Sequence, residues 1–183
     1  RVVDNSMGFT PLVGLVMGTR CGDVDPGALE YLAKKENLSL SEVMQILNKE
    51  SGVLGISRNY SSDFRELKDA EIKYNDMAAL AREIFAYKVA KYIGSYAAAM
   101  NGVDNIVFTA GVGENDSDIR TEICDYLEFL GITIDEVKNR EQGEAFKISD
   151  GASRVNVLVI KTNEELEIAR EAAAVAEPIL KKR

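Results

Sequence analysis

Histidine is absent from this sequence of 183 residues. Its absence excludes a histidine triad, a histidine proton shuttle and histidine ligands to a metal within these residues. Cysteine is scarce, because Cys21 and Cys124 are the only two and neither belongs to a C-x-x-C motif. Two cysteines are too few for a disulfide framework or a zinc site, so we expect reduced thiols in a cytoplasmic protein. Any chemistry in this chain should therefore use carboxylates and arginines.

Proline is also rare, with three residues, and no run of low complexity or of about 20 apolar residues occurs. The hydrophobic share of 46% is enough for one folded domain with its own core. Basic residues number 22 against 30 acidic ones, which gives a formal charge of −8. This charge would repel a phosphate backbone, so nucleic acid and anionic membrane are not expected partners.

The chain opens with Arg1-Val2-Val3-Asp4, which is neither an initiator methionine nor a signal peptide. We therefore expect it to be a piece of a longer protein. Asp25 before Pro26 predicts a helix over about 26–36, and a capping box of Ser39 and Glu42 predicts a second helix to about residue 49.

Apolar residues then recur at helical spacing, which predicts one long amphipathic helix over 69–100. An apolar strand over 105–110 follows, and a glycine loop leads into a helix over 117–130. Residues 132–134 and 155–160 are further strand candidates, 135–150 reads as a polar surface excursion, and a last helix begins near Asn163. Helices that alternate with strands predict an α/β fold.

The segment Gly111-Val112-Gly113-Glu114-Asn115 lies between the apolar strand and the next helix. Backbone N–H groups and a helix dipole at such a position can bind a phosphate or nucleotide. The segment is not the dinucleotide fingerprint, because Asp116 stands where the last glycine should be. Taken alone, a tight turn with Asp116 or Ser117 as the N-cap explains it better.

Arg20 follows Met17-Gly18-Thr19 in a loop, where a guanidinium group could hold a phosphoryl group that is being transferred. Pairing of Arg20 with Asp23 or Asp25 is the simpler alternative.

Asp63-Phe64-Arg65 could offer a carboxylate to ribose hydroxyls and an arginine to an adenine ring or a phosphate. Asp63 and Glu66 also have the spacing of a capping box, which taken alone is the stronger explanation.

Glu164 opens the last helix within Thr162-Asn163-Glu164-Glu165, where a carboxylate could hold Mg²⁺ through water. A capping box of Thr162 and Glu165, with acidic residues that complement the helix dipole, needs no function.

Six motifs in this order and spacing nevertheless resemble those of acetate kinases, over nearly the whole chain. They are Ser6-Met7-Gly8-Phe9-Thr10-Pro11, Met17-Gly18-Thr19-Arg20, Ser51-Gly52-Val53-Leu54-Gly55, Asp63-Phe64-Arg65, Phe108-Thr109-Ala110-Gly111-Val112-Gly113-Glu114-Asn115 and Thr162-Asn163-Glu164-Glu165-Leu166. Six collinear motifs are far more specific than one, and they outweigh the alternative given for each site alone.

The resemblance implies an actin-like, sugar-kinase-type (ribonuclease H-like) α/β fold with a mixed sheet and flanking helices. Residues 1–183 would be the C-terminal nucleotide-binding and dimerisation domain of a two-domain, homodimeric acyl kinase. The activity implied is transfer of the γ-phosphoryl group of ATP to acetate with Mg²⁺, giving acetyl phosphate and ADP. The last helix, about 164–183, would pack on the missing N-terminal domain.

The resemblance also assigns roles by position. Arg20 would stabilise the transition state, Glu164 would serve the metal, and the nucleotide site would be lined by Asp63, Phe64, Arg65, Gly111, Val112, Gly113, Glu114 and Asn115. A metaphosphate-like transition state needs positioning and charge stabilisation rather than covalent help, which agrees with these roles. The acetate pocket would lie in the missing half, so we expect this chain alone to lack kinase activity.

Two departures from the family pattern affect the predicted site. Arg58-Asn59-Tyr60 replaces a shorter, glycine-containing turn, and Lys161 replaces a proline that would fix the backbone before Thr162. Two other functions stay open at this point: half of a propionate or butyrate kinase, and a non-catalytic actin-like module that binds nucleotide or dimerises. The stripe of Phe85, Tyr92, Tyr96 and Met100 fits either an interface or the core.

Overall fold

The computed structural model describes residues 1–180, and the side chains of residues 1–177. The first half is helical, with α1 (Pro26–Glu36), α2 (Leu40–Lys49), α3 (Gly52–Ile56), α4 (Phe64–Ile72) and α5 (Asp76–Met100). The second half contains β1 (Asn105–Phe108), α6 (Ala110–Asn115), α7 (Ser117–Asp125), a 3-10 helix (Glu128–Leu130), α8 (Glu136–Asn139), β2 (Ala145–Lys147), β3 (Asn156–Ile160) and α9 (Glu164–Leu180). No helix among the described residues is long and apolar enough to cross a membrane.

The three strands form one mixed sheet in the order β1-β3-β2. The central strand β3 runs parallel to β1, with Ile106 opposite Val157, and antiparallel to β2, with Phe146 opposite Val159. Ile106, Phe108, Val157 and Val159 are buried on the same face, where α5 and α7 complete the largest core cluster. The predicted α/β fold with a mixed sheet and flanking helices is confirmed.

Two smaller clusters of buried side chains hold the helical half together. One joins α3, α4 and α5 through residues that include Val53, Leu67 and Ala81. The other joins α2 to the N-terminal loop through Leu12, Val43 and Leu47. The predicted α1 and α2 are confirmed with their caps, since Asp25 accepts from the amide of Gly27 and Ser39 forms the capping box with Glu42.

The prediction of one helix over 69–100 was wrong at its start. Residues 69–72 belong to α4, and the chain breaks at Tyr74, which has a left-handed φ of 63°. Asn75 then caps α5 by accepting from the amides of Met77 and Ala78. The apolar spacing continues across the break, so periodicity alone could not reveal it.

The glycine segment after β1 was also predicted with the wrong conformation, because it forms the short helix α6 rather than a loop. Asp116 ends α6 and caps α7, as proposed for this residue, by accepting from the amide of Ile119. The predicted helix over 117–130 stops at Asp125 and is followed by the 3-10 helix, which Gly131 closes with a φ of 76°.

Two assignments near the end of the sheet need correction. Residues 132–134 form no strand and contribute a single bridge, between Ile134 and Ser149. The segment 135–150 is more than a surface excursion, since it supplies α8 and β2 and buries Asn139 and Ile148 completely. The polar composition of this segment suggested a surface loop, although the segment is part of the fold.

Candidate functional site

A cleft of about 860 Å³ opens between the beginning of α4 and the helix α6. It brings together two motifs that are about 50 residues apart in the sequence. Its lining consists of Ser62, Asp63, Phe64, Arg65, Lys68, Asp69, Gly111, Val112, Asn115 and Asp116. Six of the eight residues predicted for the nucleotide site, all except Gly113 and Glu114, therefore line one concavity of the size that small-molecule sites have.

Asp63 both caps α4 and binds the arginine of its own motif. Its Oδ1 accepts from the amide of Arg65 at 2.8 Å, and the Arg65 guanidinium donates to Oδ1 at 3.1 Å and to Oδ2 at 2.6 Å. These hydrogen bonds from Arg65 lower the pKa of Asp63 to about 2. The capping box proposed as an alternative is not formed, because Glu66 instead accepts from the hydroxyl of Ser61. Asp63 thus presents a carboxylate that is ionised at neutral pH to the cleft.

Phe64 fixes this corner of the cleft to the core. Its ring packs edge-on against Phe85 of α5, with the ring centroids 4.6 Å apart. Phe85 is partly buried and packs against the core, which favours the core alternative for this member of the α5 stripe.

The wall opposite Asp63 is the exposed side of α6. A Cβ atom built on Gly111 would meet no other atom within 4 Å, so the backbone here is open to the cleft. Gly113 faces the other way, and its Cβ position lies 3.4 Å from the carbonyl carbon of Phe108. The two glycines therefore serve different purposes: Gly111 leaves space for a ligand, while Gly113 lets α6 pack closely on β1.

Glu114 does not line the cleft. Its Oε1 accepts from the amide of Ala110 at 2.7 Å, the amide of Thr162 at 2.9 Å and the hydroxyl of Thr162 at 3.1 Å. The hydrogen bond from the Thr162 amide is the main cause that lowers the pKa of Glu114. Glu114 therefore joins α6 to the connection between β3 and α9.

A buried ion-pair network supports the floor of the cleft, and the sequence analysis missed it. Arg82 of α5 donates to Asp116 at 2.6 Å and to Glu71 at 2.6 Å, while Lys68 contacts Asp116 at 3.5 Å. Burial raises the pKa of Asp116, but the hydrogen bond and the charge of Arg82 outweigh it and the pKa lies below its ordinary value. Arg82 stands at a core position of the apolar stripe of α5. A charged residue at such a position indicates a buried ion pair, because a buried charge needs a partner.

Arg120 is a second buried arginine that the sequence analysis missed, and unlike Arg82 it has no signal in the sequence. It is 2% exposed and forms no ion pair among the described residues, 1–180. Its guanidinium donates to the carbonyls of Gly113 at 2.9 Å and Glu114 at 3.0 Å, and to both the side chain and the carbonyl of Asn139. A cation at this place satisfies carbonyls at the C-terminal end of α6.

Arg20 lies in a separate cavity of about 700 Å³, between the loop 17–20 and α2. It has no ion pair within residues 1–180. The alternative partners are engaged elsewhere, since Asp23 accepts from the Tyr92 hydroxyl at 2.6 Å and Asp25 caps α1. The structure therefore does not join Arg20 to the cleft of Asp63 and Gly111.

The loop 17–20 is held in place by the backbone of the motif Ser51-Gly52-Val53-Leu54-Gly55. The amides of Ser51, Val53 and Leu54 donate to the carbonyls of Thr19, Met17 and Gly18, respectively. Gly52 has a φ of 66°, and a Cβ there would lie 2.2 Å from the Met17 carbonyl oxygen. Only glycine fits this position, so α3 fixes the backbone that presents Arg20.

Glu164 is exposed, begins α9 and forms no hydrogen bond or ion pair with the side chain of another described residue. The alternative capping box is not formed, because Asn163 accepts from the amide of Leu166 and Thr162 binds Glu114. Residues 1–180 contain no group of three acidic or cysteine ligands for a metal. A single carboxylate is still suited to Mg²⁺ that arrives with phosphate oxygens and water as its other ligands.

The turn before Asp63 adopts the conformation that glycine would favour. Arg58 and Asn59 have φ values of 56° and 62°, which are left-handed. The departure from the family pattern is therefore accommodated without glycine, at a cost in backbone strain. Lys161, the other departure, pairs with Glu144 at 3.3 Å on the surface.

Comparisons with known proteins give one consistent result. The model of the acetokinase family matches residues 1–170. The acetate kinase of Carboxydothermus hydrogenoformans is 59% identical over 171 residues, which are 93% of this chain and 42% of that protein. The chain thus spans less than half the length of the curated relatives it matches.

Solved structures agree in fold and in coverage. The crystal structure of Porphyromonas gingivalis acetate kinase superposes with a TM-score of 0.87 at 46% identity, over 93% of this chain and 43% of that one. A propionate kinase from Francisella tularensis superposes with a TM-score of 0.84 at 44% identity, over 91% of this chain and 42% of that one. The family match, the identities and the fold together show that this chain belongs to the acetokinase family.

Proposed function

We propose that this chain is the nucleotide-binding part of an acetate kinase, which transfers the γ-phosphoryl group of ATP to acetate and gives acetyl phosphate and ADP in a reversible reaction. The observation that carries the proposal is the cleft in which Asp63 and Arg65 face Gly111 and Asn115. The acetokinase match over residues 1–170 supports the reaction.

In the proposed complex the nucleotide lies between α4 and α6. The Asp63 carboxylate accepts from the ribose hydroxyls, and the exposed Arg65 guanidinium stacks on the base or pairs with a phosphate. The open backbone at Gly111 allows close approach of the ligand, because no side chain occupies that space. Asn115 and Lys68 complete the polar rim of the cleft.

Arg20 stabilises the charge of the phosphoryl group during transfer. Support comes from its guanidinium, which has no ion pair among residues 1–180, and from the rigid loop that α3 holds. Glu164 would hold Mg²⁺, and the metal supplies charge neutralisation of the phosphates when bound. Since the two cavities are separate in this chain, the proposal requires the missing half to bring the phosphoryl group to Arg20.

The decisive experiment supplies that half. A chimera joins the N-terminal part of the Carboxydothermus hydrogenoformans acetate kinase to residues 1–183, and acetyl phosphate is trapped with hydroxylamine. We expect the chimera to turn over acetate and ATP, Arg20→Ala in it to lose activity at least about 100-fold, and the 183-residue chain alone to be inactive. Nucleotide binding without activity in the folded chimera would favour the non-catalytic module.

A propionate kinase is the second candidate, because the Francisella tularensis propionate kinase matches this chain almost as well as the acetate kinase structure does. We place the acyl pocket in the missing half. A second chimera, with the N-terminal part of that propionate kinase, should therefore prefer propionate. If both chimeras prefer the same acid, this chain contributes to the choice of acceptor.

Assembly and location belong to the same proposal. We place the protein in the cytoplasm, with the two free thiols, Cys21 and Cys124, as support. We place a homodimer interface on this chain, with exposed apolar side chains of α5 such as Met100 as support. Helix α9 would pack on the missing domain, since Ile168 and Val175 are exposed, and residues 181–183 of that predicted segment lie outside the described residues. Light scattering of the active chimera tests the dimer.

A further inference from the structure

The side chain of Glu114 reaches the connection before Glu164 and hydrogen-bonds to it. A single carboxylate oxygen accepts two hydrogen bonds from Thr162 and one from Ala110, at 2.9, 3.1 and 2.7 Å. Hydrogen bonds to an ionised acceptor are stronger than those between neutral groups. The carboxylate therefore ties two segments that are 48 residues apart in the sequence.

The two tied segments are those that carry the proposed nucleotide and metal ligands. Ala110 begins α6 with a left-handed φ of 58°, a conformation that a non-glycine residue keeps only with support. Thr162 lies two residues before Glu164, and Asn163 between them caps α9. A change at Glu114 would therefore move the start of α6 and the start of α9 relative to each other.

The other end of α6 is held independently. Arg120 donates to the carbonyls of Gly113 and Glu114, which lie at the C-terminal end of α6. Because Arg120 fixes the backbone of Glu114, the Glu114 side chain has a defined anchor from which to hold Thr162.

We propose that Glu114 is a positioning residue that sets the distance between α6 and Glu164, so that nucleotide and Mg²⁺ bind as a coupled pair. The inference rests on the proposed function, which assigns the nucleotide to α6 and the metal to Glu164. Glu164 would hold Mg²⁺ only from a defined position, because this ion tolerates little change in the placement of its ligands. A shift of α9 would therefore weaken the contribution of the metal to ATP affinity, while the contacts of the nucleoside with α4 would be kept.

The measurement that isolates this role is the ratio of ATP affinity in excess Mg²⁺ to ATP affinity in EDTA, by calorimetry on the 183-residue chain. In Glu114→Ala the ratio should fall about tenfold, toward the value of Glu164→Ala, while the affinity in EDTA stays within about threefold. Glu114→Gln keeps an acceptor oxygen and should recover most of the ratio. Glu144→Ala is the matched control, because the Glu144 side chain pairs with Lys161 of the same connection, and its carbonyl, which alanine retains, accepts from the Lys161 amide.

Two results would overturn the proposal. An equal loss of affinity with and without Mg²⁺ would make Glu114 a direct nucleotide ligand. An unchanged ratio in Glu114→Ala would leave it a purely structural residue. If Glu114→Ala fails to fold, Glu114→Gln decides the matter. The affinity ratio of Glu114→Gln should then exceed that of the double variant Glu114→Gln with Thr162→Val.

Hydrogen exchange of the ligand-free chain separates this proposal from the proposed function. The Thr162 amide donates to Glu114, so Glu114→Ala should accelerate its exchange at least about tenfold. Unchanged exchange of the Thr162 amide in Glu114→Ala would show that Glu114 does not hold this connection, and it would overturn the proposal. If the wild-type chain binds no nucleotide, the proposed function fails, and exchange at Thr162 still reports whether Glu114 holds this connection.

Discussion

Arg82 and Asp116 form a salt bridge of 2.6 Å beneath the candidate site, and only 3% and 9% of their side chains are exposed. Arg82 belongs to the long helix α5, whereas Asp116 caps α7 and lines the cleft. The pair therefore connects the largest helix of the molecule with the wall that α6 and α7 build. Its geometry makes the stability of the fold and the shape of the cleft depend on the same two charges.

Replacing Asp116 with asparagine should destabilise the protein by about 2 to 3 kcal/mol, because removal of one partner leaves a buried charge uncompensated. This loss lies at or below the lower limit of the roughly 3 to 5 kcal/mol that breaking a buried ion pair costs, because Arg82 retains its ion pair with Glu71. Urea denaturation measures it. The control is Glu167→Gln, whose partner Arg170 is 67% exposed and which should cost less than about 0.5 kcal/mol. Equal effects of the two substitutions would contradict this account.

The same pair predicts how stability depends on pH. Although burial raises the pKa of Asp116, Arg82 holds it below the ordinary value. A carboxyl group with a depressed folded pKa stabilises the fold above its unfolded pKa, about 3.9, and loses this contribution as the pH falls through the folded pKa. The difference in unfolding free energy between wild type and Asp116→Asn should therefore be full at pH 7 and smaller at pH 3. A difference that grows toward pH 3 would refute the assignment.

Gly111→Ala should separate folding from binding. No atom lies within 4 Å of the new Cβ, so the free energy of unfolding should stay the same or rise by up to about 1 kcal/mol. The methyl group enters the cleft, and nucleotide affinity should fall about tenfold, or about 1.4 kcal/mol. Gly151→Ala, which is equally unobstructed and outside the cleft, should leave affinity unchanged. Unaltered binding in Gly111→Ala would move the nucleotide away from α6.

Tyr74→Gly should stabilise the protein by about 0.5 to 1 kcal/mol. Tyr74 is 94% exposed and has a φ of 63°, so its side chain contributes little packing while its backbone is strained. Thermal unfolding measures the gain. Tyr60→Gly, at a half-exposed residue without a left-handed φ, should not stabilise. A lower melting temperature for Tyr74→Gly would show that the break between α4 and α5 is unstrained.

The sequence predicted those helices and strands that are determined by residues close together in the chain. The caps at Asp25 and Ser39 act within a few residues and are found where they were expected. The strand predicted over 105–110 is also present, but β1 ends at Phe108 because Ala110 begins α6. The break at Tyr74 was missed because the apolar spacing of α4 continues into α5. Residues 135–150 were misjudged because the burial of Asn139 depends on residues distant in the sequence: its side chain accepts from Arg120 and donates to the Ser117 carbonyl and the Thr121 hydroxyl.

In the candidate site, too, the sequence revealed features that depend on nearby residues and missed those that depend on the packing of distant segments. The motifs of Asp63 and Gly111 were found from their residue types, and their meeting in one cleft required the fold. No spacing links Arg82 to Asp116, or Arg120 to the carbonyl of Gly113, because these contacts depend on how α5 and α7 pack. The roles of Arg20, Glu164 and the nucleotide-site residues stay predictions.

The central claim is that the cleft between α4 and α6 binds the nucleotide, and amide chemical-shift mapping of the isotope-labelled chain tests it most directly. During titration with ATP and Mg²⁺, the amides of Arg65, Gly111, Val112 and Asn115 should shift together and saturate along one binding curve. Shifts confined to residues 17–20 and 41–49, around the other cavity, or no saturable shifts at all, would contradict the account.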